Sequence, residues 1–143
     1  FGGYLERDLN IDSHLNSSSF SNVKFKDVQQ RLVFAGLEKN CTLIKGDVIE
    51  TLPVFLSDYS DHRMNAGMSK FALLYIDCNA YIPAISSMEY FLPFLSPGAV
   101  IAIDEKTQGS ETKALIHFAE KNGLKVFYPG SLNCPAVIEI PKK

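Results

Sequence analysis

Two short apolar runs that each end abruptly at an acid constrain this chain more than any other feature. Phe71-Ala-Leu-Leu-Tyr-Ile76 stops at Asp77, and Ala99-Val-Ile-Ala-Ile103 stops at Asp104-Glu105. Neither run alternates cleanly between apolar and polar residues. That suits strands covered on both faces, and hence a parallel sheet in an α/β fold. Between them, Pro83 sits in the first turn of a helix carrying Ile85, Met88, Leu92 and Leu95 at helical spacing, and the turn Ser96-Pro97-Gly98 closes it. Pro93 is expected to kink or shorten the end of that helix. In open parallel sheets, ligands bind beyond the carboxyl ends of the strands, so Asp77, Asp104 and Glu105 are expected together at that edge. Carboxylates clustered there suit a hard divalent cation, or a base kept ionised by its surroundings.

The flanks extend the pattern. The segment up to about Ser21 is polar and reads as loop. Ser21 is a candidate cap for a helix with Phe25, Val28, Leu32 and Ala35 on one face and Gly36 near its end. Cys41-Thr-Leu-Ile44 reads as a short strand ending in Lys45-Gly46-Asp47. A brief helix from Ile49 to Leu56 contains Pro53, and residues 57–70 read as a polar loop. After the second acidic turn, Ser110 is placed to cap a helix through Lys121, with Leu115, Phe118 and Ala119 inward and Gly123 at its end. Leu124 to Tyr128 and Ala136 to Ile140 read as an antiparallel pair at one sheet edge. The chain opens with a loop and a helix, and its first residue is Phe1. The expectation is an α/β domain whose first strands lie outside this sequence.

Composition narrows the function classes. With 143 residues, one domain and a real core are expected. A formal net charge of -2 gives no electrostatic reason to expect nucleic acid or an anionic membrane surface. Cys41, Cys78 and Cys134 are too widely spaced for a zinc site and odd in number, which fits thiols in a reducing compartment. No apolar run approaches the roughly 20 residues needed to cross a bilayer. A soluble, cytoplasmic protein without membrane partners is the expectation. His14, His62 and His117 are scattered and none is assigned a catalytic role, although His62, on a long polar loop, is the best placed for a substrate-side contact. Cys78 and Tyr81 read first as packing residues.

Five segments, in order, resemble one family. Phe1-Gly2-Gly3 resembles the turn after its second strand, and Phe20 to Leu32 its next helix. Lys45-Gly46-Asp47 with Glu50-Thr-Leu-Pro53 resembles its Lys-Gly and Asp-Thr-Leu-Pro segment. Leu73-Leu-Tyr-Ile-Asp-Cys-Asn-Ala-Tyr81 resembles its Leu-Leu-x-x-Asp-x-Asp-x-Tyr element, and Leu95 to Glu105 its Leu-Ser-Pro-Gly-Gly, strand, Asp-Asp element. The family is that of the macrocin O-methyltransferases, class I enzymes that use S-adenosyl-L-methionine to methylate sugar hydroxyls on macrolides, aminocoumarins and related glycosides.

The resemblance implies a Rossmann-like methyltransferase sheet, mostly parallel with an antiparallel C-terminal edge pair. Residues 1–143 would be its portion from the third strand onward. It implies that magnesium is held by Asp77, Asp104 and Glu105, that Asp77 also accepts the released proton, and that Phe1, Gly2, Gly46, Asp47 and Val48 touch the cofactor. For Asp47, a plain turn residue is the competing reading. The implied acceptor is a small-molecule hydroxyl, a glycoside among the options. An uncovered sheet edge leaves a homo-oligomer open. Asn79 stands where the family has a second Asp, and Glu105 where it has Asp; a metal site tolerates both with altered affinity. The glycine-rich turn after the first strand and the ribose-binding acid after the second are not in the sequence. Three other readings remain: a class I enzyme without the metal, a non-catalytic methyltransferase-like scaffold, and a small flavodoxin-like signalling domain.

Overall fold

A computed structural model describes residues 3–60, 70–104, 109–129 and 136–142. Helices α1 (Glu6–Ile11), α2 (Phe25–Phe34) and α3 (Val48–Tyr59) precede strand β1 (Phe71–Ile76). Helix α4 (Tyr81–Phe91) leads to β2 (Leu95–Ile103), then α5 (Ser110–Asn122), β3 (Val126–Phe127) and β4 (Val137–Glu139). The sheet order is β1-β2-β4-β3. β1 and β2 are parallel, β4 runs antiparallel to β2, and β3 pairs antiparallel with β4, so the two final apolar runs do form the expected edge pair.

The core lies between this sheet and the packed pair α4 and α5. Met88, Ile101, Ile103, Leu115, Phe118 and Ile138 are fully buried in it. Burying each such side chain contributes about 1.5–3 kcal/mol. Phe71 ties β1 to two helices by aromatic contacts, stacking on Tyr59 of α3 at 4.7 Å and meeting Phe91 of α4 edge-on at 5.1 Å. Pro93 ends α4 as expected: the α-helix stops at Phe91 and a 3-10 turn, Leu92–Phe94, follows.

The structure corrects several local expectations. Cys41 to Ile44 is not a strand, because a strand needs a ladder partner and none runs beside it among the described residues. Ser96-Pro97-Gly98 is part of β2 rather than a turn. The register jumps from Phe71 opposite Leu95 to Leu73 opposite Val100, so the Pro-Gly segment is a bulge, where a residue without an N–H is tolerated. Ser21 does not cap α2; its hydroxyl donates to the Ser18 carbonyl, and Lys24 occupies the cap position. Gly109, not Ser110, caps α5. The helix read from Ile49 to Leu56 runs on through Tyr59, three residues into the expected loop. Finally, β1 is covered on one face only. Leu74 and Ile76 meet the core, whereas Leu73 and Tyr75 are 60% and 53% exposed. Among the described residues no helix is long and apolar enough to cross a membrane.

Candidate active-site cleft

The parallel pairing of β1 and β2 sets the centre of the site. Ile76 lies opposite Ile103, and the Asp104 N–H donates to the Ile76 carbonyl at 3.0 Å. Asp77 and Asp104 therefore leave neighbouring strands at the same level, about 5 Å apart along the hydrogen-bonding direction. Both are exposed, and both line one cleft of about 800 Å³. Gly46, Asp47 and Val48 line the same cleft. Sequence reasoning placed these five residues in one site, and the structure brings them together. Glu105, Phe1, Gly2, His62 and Cys134 lie outside the described residues. Gly3 and Tyr4, next to the expected Phe1-Gly2 contact, do line the cleft.

Each wall has a local cause. Gly46 adopts φ +140°, and a Cβ there would sit 2.6 Å from Thr51 Cγ2, so only glycine fits. Asp47 caps α3 by accepting from the Ile49 N–H at 3.1 Å. It also accepts from both terminal nitrogens of Arg7, Nη2 to Oδ1 at 2.5 Å. The Arg7 guanidinium holds the Asp47 carboxyl below its usual value, and Asp47 in turn raises Arg7. In this state Asp47 is thus a helix cap and an ion-pair partner, the turn-residue reading in its strongest form. Arg7 was missed by sequence reasoning; it lies in a polar stretch 40 residues from its partner.

Beside this pair, Asp8 is buried, and its Oδ1 has no hydrogen-bond donor among the described residues although Arg7 Nε lies 3.6 Å away. On the exposed face of β1, the Tyr75 hydroxyl donates to Asp104. That hydrogen bond, followed by desolvation and the nearby acids, pushes the Tyr75 phenol up to about 12. Burial pushes the Cys78 thiol well up, which removes it as a nucleophile and supports its reading as packing. Tyr81 packs against the core and its hydroxyl pairs with His117 Nδ1 at 2.9 Å.

Oxygen donors are what magnesium takes, and Asp77 and Asp104 supply them side by side. Among the described residues no group of three or more His, Cys, Asp or Glu side chains is arranged to hold a metal. Of the three residues that the resemblance implies, Asp77 and Asp104 line the cleft and Glu105 lies outside the described residues.

An α/β sheet with acids at the carboxyl ends of adjacent parallel strands, opening on a cleft, is a Rossmann-like arrangement. Residues 7–105 match the family model described as a methyltransferase domain, well over half of the chain, and the chain belongs to that family. No protein of curated function matches it. Among solved structures it is similar to the calicheamicin methyltransferase CalS11 at 19% identity and TM-score 0.69, covering 96% of this chain and 56% of that one. The O-methyltransferase NovP aligns at 16% identity and TM-score 0.63, covering 98% and 53%. An O-methyltransferase from Bacillus cereus in complex with SAH aligns at 13% and TM-score 0.56, covering 85% and 60%. At these identities the likeness establishes the methyltransferase fold, and the chain spans a little over half the length of these structures.

Proposed function

We propose that this chain is the part of a class I methyltransferase domain from its third strand onward, and that the protein carrying it transfers a methyl group from S-adenosyl-L-methionine to a small-molecule hydroxyl, a glycoside in the first instance. The observation that carries the reading is the placement of Asp77 and Asp104 on neighbouring parallel strands in the same cleft as Gly46, Asp47 and Val48. Family membership and the likeness to CalS11 and NovP support the reaction class.

In this reading the Gly46-Asp47-Val48 wall, with Phe1 and Gly2, borders the cofactor. Asp77, Asp104 and Glu105 would hold magnesium, which when bound acidifies an acceptor hydroxyl. Asp77 accepts the hydroxyl proton, and the walls align the acceptor oxygen behind the methyl group. Asp104 is steadied by the Tyr75 hydroxyl.

The test is calorimetry and methyl transfer on the full-length protein. S-adenosyl-L-methionine binds with measurable heat, and Asp77→Ala lowers turnover by roughly 10²–10⁴-fold, as expected for loss of a positioned base. An active protein whose magnesium binding and turnover both ignore Asp77→Ala would end the metal-assisted version. A non-catalytic scaffold is the second reading, favoured by the engagement of Asp47 with Arg7; it calls for no heat with the cofactor at all.

A further inference from the structure

Two buried carboxylates that the proposed chemistry does not use converge on the turn carrying Asp77. Glu111, in the first turn of α5, is 1% exposed, and its Oε1 accepts from the backbone N–H groups of Cys78 and Asn79, the latter at 2.6 Å. Asp12, at the end of α1, is 6% exposed; its Oδ2 accepts from the Tyr81 N–H at 2.8 Å and its Oδ1 from the Ser110 hydroxyl. Three of the four amides in the stretch from Cys78 to Tyr81 are therefore held by acids from two other helices. Asn79 sits at φ +55°, a left-handed conformation that an asparagine tolerates and that an unsupported turn rarely keeps. Burying two carboxylates is costly unless donors meet them, and here three amides of the turn and the Ser110 hydroxyl do so.

We infer that Glu111 and Asp12 form a carboxylate clamp that positions the turn after β1 and so aims Asp77 into the cleft beside Asp104. Glu111 carries the larger share, because one oxygen fixes two successive amides directly after Asp77. It lies beyond residues 7–105, so the match to the family does not include it. The link to catalysis rests on the methyltransferase reading above, whereas the clamp itself is a statement about three amides.

Both can be measured on the full-length protein, by amide hydrogen exchange and steady-state kinetics of Glu111→Ala, Glu111→Gln and Asp12→Asn. In Glu111→Ala the Cys78 and Asn79 amides exchange at least about 10-fold faster, the scale expected for losing a hydrogen bond to a charged acceptor, while amides of β2 stay protected. Glu111→Gln, which keeps an oxygen at the same reach, recovers part of that protection, since a neutral acceptor is about half as strong. Asp12→Asn accelerates Tyr81 and spares Cys78 and Asn79. Turnover in Glu111→Ala falls by roughly 10–100-fold with KM for S-adenosyl-L-methionine held, as a displaced catalytic group predicts. Unchanged exchange at Cys78 and Asn79 overturns the clamp. Faster exchange with full turnover per folded molecule overturns the positioning role and leaves a structural one. If Glu111→Ala does not fold, Glu111→Gln decides by the same two readouts. A parent protein that transfers no methyl group overturns the function, and the exchange data then judge the clamp alone.

Discussion

Helices α2 and α5 look alike in the sequence and behave differently in the structure. Both carry apolar residues at helical spacing, and both end at a left-handed glycine, Gly36 and Gly123. In α5, seven of the thirteen residues are buried, including Leu115, Phe118 and Ala119, all read as inward from the sequence. In α2, none of the ten is buried; Phe25, Val28 and Leu32 are half-covered, and Phe34 is 96% exposed. An apolar stripe states that a helix has a face to hide, but the cover must come from elsewhere. For α5 the cover is the sheet and α4, which this chain supplies. The contrast extends to β1, whose Leu73 and Tyr75 face is open, and to Cys41–Ile44, which has no strand partner among the described residues. The α4, α5 and sheet half holds the buried core, and Asp12 ties the end of α1 to it through the Tyr81 N–H and the Ser110 hydroxyl.

The largest expected effect tests the half with the buried core. Phe118 is fully buried between α5, the sheet and α4. Phe118→Ala removes the ring and leaves a cavity, for a loss of about 3–5 kcal/mol in urea or thermal unfolding. A loss under about 1 kcal/mol would mean that the core is loose enough to collapse around the gap, and the contrast with α2 would disappear.

The same contrast explains what was legible beforehand. β1, α4, β2 and α5 follow from local patterns that the tertiary structure happens to satisfy, and Asp77 and Asp104 follow from where those strands stop. The Cys41–Ile44 run shows the converse, since strand propensity without a neighbouring strand yields no strand. By pattern the Pro-Gly segment reads as a turn, although a bulge accommodates the same residues. Glu111 and Asp12 were passed over for a physical reason. An acid in the first turn of a helix is already accounted for by the helix dipole, so nothing local sends Glu111 to amides 32 and 33 residues away. Asp12 is still further from its partner, 69 residues in sequence from Tyr81.

A smaller effect tests a polar tether of α1. Asn caps a helix about as well as Asp, so Asp47→Asn removes the ion pair with Arg7 and spares the cap of α3. Arg7 keeps about a third of its side-chain exposure, so solvent screening limits the pair to about 0.5–1 kcal/mol at neutral pH. The sign follows from the lowered Asp47 carboxyl. Its contribution is complete above the ordinary value of 3.8 and is lost as pH falls through the lower folded value. Stability curves of parent and variant therefore converge in that acid range and separate above it. Curves that stay parallel throughout would show that the pair contributes nothing to holding α1 against α3.

The smallest effect bears most directly on α2. Phe34 is 96% exposed at the last position of its helix, so Phe34→Ser changes unfolding free energy by no more than about 0.5 kcal/mol. The same substitution lowers the exposed apolar area and should reduce self-association in sedimentation at high concentration. If Phe34→Ser instead costs as much as a core truncation in the full-length protein, the ring is buried there against sequence outside this chain. The two helices would then differ only in where their cover is encoded, with α5 covered from within these residues and α2 from beyond them.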